Sequence, residues 1–104
     1  MKISKDNSKI IHASSVDING KGVVILGKSG AGKSNLAIKL ISMGAKLISD
    51  DQTHFRLKEN KIIISKPETT PNFIEARGIG LIEVPFVVSA KLFCFVKITN
   101  LELK

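Results

Sequence analysis

Cysteine, proline and the larger aromatic residues are scarce in this sequence, and each scarcity excludes something. A single cysteine, Cys94, rules out an internal disulfide and leaves no second thiol for a metal site. It sits in the apolar run Leu92-Phe93-Cys94-Phe95-Val96 and reads as a buried, inert core residue rather than a reactive thiol. Tryptophan and tyrosine are absent and there are only 5 phenylalanines, which leaves little with which to stack nucleic-acid bases. No apolar stretch is long enough to span a bilayer. The start of the chain, Met1 to Ser15, is polar and has no secretory core or cleavage signal, so the reading is cytoplasmic, with no membrane partner. Internal repeats and low-complexity linkers are also missing.

What is there fits one small domain of 104 residues, 43% hydrophobic and 24% charged, both ordinary for a globular protein. A domain this small buries a modest share of its surface, so self-association would help it. The net charge of +7 raises the question of nucleic acid. Apart from Arg56 and Arg77 the basic residues are lysines, spread along the whole chain without a block or stripe. They read as solvated surface, with a positive field that suits a phosphate-rich ligand or an acidic partner. No nucleic-acid partner is expected.

Ile10, Ile11, Val16 and Ile18 lead into Asn19-Gly20-Lys21-Gly22, strong turn chemistry, and Val23 to Leu26 follows as a strand buried on both faces. A hairpin is predicted there. Leu36, Ala37, Leu40 and Ile41 recur at helical spacing, Met43 extends that face, and Gly44 is a natural stop. Leu47 to Ser49 gives a short strand, and His54 to Leu57 with Ile62 to Ser65 a second hairpin. Pro67 and Pro71 bracket an irregular loop, and Lys91 to Thr99 is the most β-prone segment. The expected architecture is α/β, a sheet-rich single domain over residues 1–104 with one clear helix.

Between the buried strand and that helix lies Gly27-Lys28-Ser29-Gly30-Ala31-Gly32-Lys33-Ser34, which satisfies G-x-x-x-x-G-K-[ST] at every specified position. Gly27, Gly30 and Gly32 permit backbone conformations closed to other residues, so successive N–H groups can point inward around a phosphate. The helix starting near Lys33 adds free amides and a positive dipole end. In this motif Lys33 reaches the β- and γ-phosphates of ATP and the Ser34 hydroxyl ligates Mg²⁺. A glycine-rich turn that binds nothing is the bland alternative, but strand, loop and amphipathic helix form the context the motif demands. The glycines do not follow G-x-G-x-x-G, which excludes a dinucleotide fingerprint.

Asp50-Asp51 ends the strand after that helix, at the sheet edge where α/β proteins bind ligands. Neighbouring strand residues point oppositely, so one of the two is expected to face the phosphates squarely. That carboxylate could order Mg²⁺ or take a proton from an attacking hydroxyl, or it could simply close a turn. His12 and His54 each stand alone and read as structural residues.

The order of these features resembles the catalytic domain of bacterial HPr kinase/phosphorylase. The match runs through Ile11-His12, the loop Gly27 to Ser34, Met43 to Asp51, and Ile74-Glu75-Ala76-Arg77-Gly78-Ile79-Gly80-Leu81-Ile82-Glu83, the last resembling the family's own signature. The resemblance implies an ATP-dependent serine kinase whose phosphorylase activity reverses the reaction, with the phosphocarrier protein HPr as partner and a homo-oligomeric state. It makes His12 and Lys33 active-site residues, and Asp51, with Asp50 beside it, the base. Ser34 and Glu75 would hold Mg²⁺, and Arg77 would shape the site. It also implies a short type with no preceding domain, lacking the later loop and C-terminal helices that grip the protein substrate. Impaired activity, or a weakly catalytic ATP-binding regulatory module, is therefore an expectation too. A small-molecule kinase is a third, poorer reading, since no arginine-rich lid is present.

Overall fold

The structure, a computed structural model, describes residues 7–28, 30–76 and 78–99. Within them the chain order is β1 (Ser8–Ile11), β2 (Ser14–Ile18), β3 (Lys21–Leu26), α1 (Lys33–Ser42), β4 (Lys46–Ser49), β5 (Thr53–Lys58), β6 (Lys61–Ser65), β7 (Phe73–Ala76), β8 (Gly80–Glu83) and β9 (Ser89–Lys97). The sheet-rich α/β expectation holds. Arg77 and Ser29 of the predicted site lie outside the described residues.

Asn19 and Gly20 have φ of 52° and 85°, the left-handed pair of a two-residue hairpin turn, and they join β2 to β3. Glu59 and Asn60 do the same between β5 and β6 without glycine, at φ of 50° and 64°. Both predicted hairpins therefore form. Ile10 and Ile11, however, do not continue into β2. The chain breaks at His12-Ala13, and β1 crosses to pair with β5 at the far edge of the sheet.

The large sheet has the order β1-β5-β6-β9-β3-β2-β4. β3 and β9 are parallel, and the other neighbouring pairs are antiparallel. β4 thus runs in the same sense as β3 with the opposed β2 between them. The ends of β3 and β4 and the start of β2 all come to one edge. Beyond β4 the backbone groups of Leu47 are not left open: its N–H donates to Pro85 O at 2.8 Å and its carbonyl accepts from Val87 N–H at 2.9 Å.

The helix lies on one face over Val16, Val23, Ile25 and Leu47, with Ala37 fully buried against them and Leu36, Leu40 and Ile41 partly buried. Its end is a Schellman motif: Gly44 N–H donates to Ile41 O and Ala45 N–H to Leu40 O, with Gly44 at φ 111°. That turn sends Met43 outward, 75% exposed, so it does not extend the apolar face as its spacing suggests. Across the sheet a second core gathers Ala13, Val24, Ile48, Phe55 and Ile64. β7 and β8 form a separate hairpin whose Ile74 is buried in the helix-side core. No helix among the described residues is long and apolar enough to cross a membrane.

A bulge sits where β9 meets β3. Gly22 pairs with Leu92 but Val23 pairs with Cys94, so Phe93 is the extra residue. Side-chain alternation changes phase there: Leu92 packs on the second core, whereas Cys94 packs, half-buried, on the helix side. Phe93 is left exposed, with the Lys21 ammonium 4.7 Å from its ring centroid. Cys94 is consequently a rim residue of the core, less enclosed than its apolar run implies.

The bulge needs a bare backbone opposite it. A Cβ on Gly22 would lie 2.7 Å from Ile64 Cδ1 and 2.8 Å from Lys91 O. Gly22→Ala should destabilise the fold by about 1–3 kcal/mol, as overpacking does. Urea unfolding is the measurement; an unchanged midpoint would mean that β3 and β9 separate freely to accept the methyl.

Candidate active site

The loop between β3 and α1 combines two local features. Gly30 and Gly32 sit at φ of 83° and 102°, where a side chain would be strained, while Gly27 has no such φ. Gly27 is closely packed instead: a Cβ there would meet Ala31 Cβ at 3.3 Å, a tight contact, and Ile98 at 3.5 Å, an ordinary one. Gly32 is also the N-cap of α1. It offers no side-chain cap, and the first helical turn carries no acid. The free amides of that turn and the positive end of the helix are therefore available to an anion.

Lys33 is buried, 8% exposed, and its ammonium donates to Gly27 O at 2.9 Å and Lys28 O at 3.2 Å. Two backbone carbonyls satisfy it in place of a carboxylate. The charge is held at the loop, within reach of whatever the loop encloses.

The acidic turn after β4 faces this loop. Gln52 N–H donates to Asp50 O at 2.8 Å, closing a three-residue turn with Asp51 at its centre at φ 73°. Such a turn is tight and uncommon for a residue other than glycine. It removes the strand alternation that would have sent the two carboxylates to opposite faces. Both Asp50 and Asp51 line one cavity of about 710 Å³ with Gly30, Gly32, Lys33 and Ser34. The expectation that only one would face the loop is corrected by this turn.

Asp50 and Asp51 are nevertheless held differently. Asp50 Oδ1 accepts from the Ser34 hydroxyl at 2.8 Å and from the Ser14 hydroxyl at 2.8 Å. Asp51 Oδ1 lies 2.5 Å from His12 Nε2, and both side chains are more than half exposed. His12, which sequence spacing leaves as a bystander, is thus brought to Asp51 from the β1–β2 break. Ser49 and Thr53, which flank the turn in sequence, and Ser15 on β2 are buried with their hydroxyls paired. Ser49 donates to Gln52 O, Thr53 donates to Ala13 O at 2.8 Å, and Ser15 and Thr53 share a bond of 2.9 Å. No buried side-chain polar atom among the described residues lacks a partner.

Glu75, the exposed residue of strand β7, lines the same cavity, as do Ala76 and Gly78. Lys28 and Ala31 shape the loop but do not line it, and His54 lies away in β5. Ser14 lines the cavity and was missed, since a serine beginning a strand carries no sequence signal.

The donor set suits one kind of cation. Ser34 Oγ and Asp50 Oδ1 are hard oxygen donors already in contact. Among the described residues no group of three or more His, Cys, Asp or Glu could cage a metal ion. Mg²⁺ is typically bound by one or two carboxylates together with substrate phosphates and water, and the residues present fit that mode.

Backbone strain at Asp51 can be separated from its charge. Asp51→Ala keeps the left-handed φ penalty and Asp51→Gly removes it, while both lose the exposed contact with His12. Asp51→Gly should therefore be the more stable of the two by about 1 kcal/mol. Equal urea midpoints would show that the turn relaxes when the carboxylate is lost.

Comparison with known proteins gives the family. The sequence profile described as the HPr Serine kinase C-terminal domain matches residues 4–100. HPr kinase/phosphorylase of Clostridium tetani is 43% identical over 75 residues, covering 72% of this chain and 25% of that protein. The one from Caldanaerobacter subterraneus is 45% identical over 75 residues, covering 71% and 25%. The solved structure of the Hpr(Ser) kinase/phosphatase from Coxiella burnetii superposes with a TM-score of 0.79 at 30% identity, covering 86% of this chain and 58% of that one. The chain thus spans about a quarter of the length of these curated relatives. With its phosphate-type loop facing a paired-aspartate turn, the chain belongs to the HPr serine kinase C-terminal domain family.

Proposed function

We propose that this protein is an ATP- and Mg²⁺-dependent phosphotransferase that moves a phosphoryl group between ATP and a seryl hydroxyl of HPr. The observation that carries the reading is the shared cavity, in which the loop ending at Lys33-Ser34 meets the Asp50-Asp51 turn, with His12 against Asp51. Relatives named HPr kinase/phosphorylase support the choice of acceptor.

In this reading the loop amides and the Lys33 ammonium hold the phosphates, and Lys33 exchanges its carbonyl partners for phosphate oxygens. Ser34 and Asp50 would hold Mg²⁺, with Glu75 reaching it from β7. When bound, Mg²⁺ would offset charge on the phosphate oxygens. Asp51 takes the proton of the seryl hydroxyl as its oxygen attacks the γ-phosphorus and the bond to the β-phosphate oxygen breaks. In the reverse direction Asp51 returns a proton to the seryl oxygen. His12 keeps the Asp51 carboxylate aimed, and Arg77 belongs to the signature segment beside Glu75. A homo-oligomer is part of the same proposal.

Excess ATP·Mg²⁺ should raise the melting temperature by about 10 °C at a hundred times its Kd, since it binds the folded state alone. Lys33→Ala should abolish the shift; an unchanged shift would place the nucleotide elsewhere. Labelled ATP should then transfer phosphate to HPr, and Asp51→Asn should remove that transfer. Binding of ATP without any transfer by the unmodified chain would instead favour an ATP-binding regulatory module.

Glu75→Gln keeps the side chain's shape but removes the charge a hard cation prefers. The Mg²⁺ midpoint of the thermal shift should rise in this variant with the fold intact. The same midpoint in both proteins would make Glu75 a surface carboxylate only.

A further inference from the structure

The geometry points to Ser14 as a positioning residue that holds the Asp50–Asp51 turn in register for a cation, independently of the phosphate loop. The inference rests on the ATP·Mg²⁺ reading above and adds to it a residue outside both the loop and the acidic pair.

Three observations converge on this hydroxyl. Ser14 is fully buried, and its Oγ is engaged in both directions. It donates to Asp50 Oδ1 at 2.8 Å and accepts from the Asp51 N–H at 3.3 Å. One side chain therefore grips the carboxylate of one aspartate and the backbone of the next. Its backbone is also tied into the sheet. Ser14 opens β2, a strand flanked by β3 and β4, and its register partner is Ile25.

The other hydroxyl on Asp50 behaves differently. Ser34 stands on the first turn of α1, so its position follows the loop and helix start that would enclose phosphates. Were Ser34 the sole tether, Asp50 would take its orientation from a group that itself adjusts to the ligand. Ser14 supplies a fixed reference from the sheet. The turn also has a reason to need one, because Asp51 sits at φ 73° and a strained conformation persists only when its surroundings over-determine it. The Asp51 N–H bond to Ser14 is part of that determination.

Losing the tether should show in metal coupling more than in phosphate binding. Loop amides and Lys33 grip phosphate without Asp50, whereas a cation sited on Ser34 and Asp50 depends on the carboxylate's aim. Removing one hydrogen bond to a charged group should raise the Mg²⁺ concentration at half-effect about tenfold. The metal-free affinity for ADP should change by less than about twofold.

The test is calorimetric titration of ADP into the 104-residue protein, with EDTA and then across a Mg²⁺ series. Ser14→Ala is compared with Ser15→Ala, which deletes another buried hydroxyl of the same strand, one bonded to Thr53 instead. The inference expects the Mg²⁺ midpoint to rise in Ser14→Ala and to stay put in Ser15→Ala, even if both melt earlier. If Ser14→Ala does not fold, Ser14→Thr and Ser14→Val give a matched pair differing only in the hydroxyl, and the midpoint should rise only in Val. Equal midpoints within either pair overturn the inference, as does a parallel loss of metal-free affinity, which would make Ser14 a fold residue alone. If the unmodified protein shows no Mg²⁺ coupling at all, the ATP·Mg²⁺ reading fails first and takes this inference with it.

Discussion

One carboxylate oxygen, Asp50 Oδ1, accepts hydrogen bonds from the hydroxyls of two segments that are distant in sequence: Ser14 at the start of β2 and Ser34 at the start of α1. Each bond to a charged acceptor is worth about 1.5–3 kcal/mol where the site is partly sheltered. Together they fix the strand, the helix start and the acidic turn relative to one another. Everything the site can do depends on that arrangement, since the loop and the two aspartates face a common cavity only while these three segments meet.

The sheet makes the meeting possible. With β2 inserted between β3 and β4, a strand of opposite sense begins at the edge where its two neighbours end. An all-parallel core would have brought only strand ends to that edge. Here the edge also receives His12 from the β1–β2 break and Ser14 from the start of β2, which supply a partner for Asp51 and one for Asp50. The buried hydroxyls of Ser15, Ser49 and Thr53, next to the acidic turn in the sheet or the sequence, are all paired.

Lys33 shows how the loop satisfies a charge that it buries. A buried ammonium with no partner would be costly, and the carbonyls of Gly27 and Lys28 meet that need. The same contacts tie the loop's two ends together.

The sequence by itself determined the local elements. Asn19-Gly20 set one hairpin, Gly44 ended the helix, the apolar run Val23 to Leu26 marked a doubly buried strand, and the glycine spacing of residues 27–34 marked the anion loop. Each of these, for residues 27–34 the loop's backbone shape alone, follows from short-range sterics and hydrogen bonding, which neighbouring residues carry within themselves. Their place at a strand end made Asp50 and Asp51 candidates, and the recognised order of motifs added His12 and Glu75. Only the tertiary structure decided how those candidates meet. The left-handed Asp51 abolished the strand alternation, the bulge at Phe93 reversed which core Cys94 joins, and the Schellman turn swung Met43 into solvent. The placing of His12 against Asp51 and of Ser14 beneath Asp50 spans 39 and 36 residues of chain. No local pattern encodes such pairings, because they arise from strand order across the whole sheet.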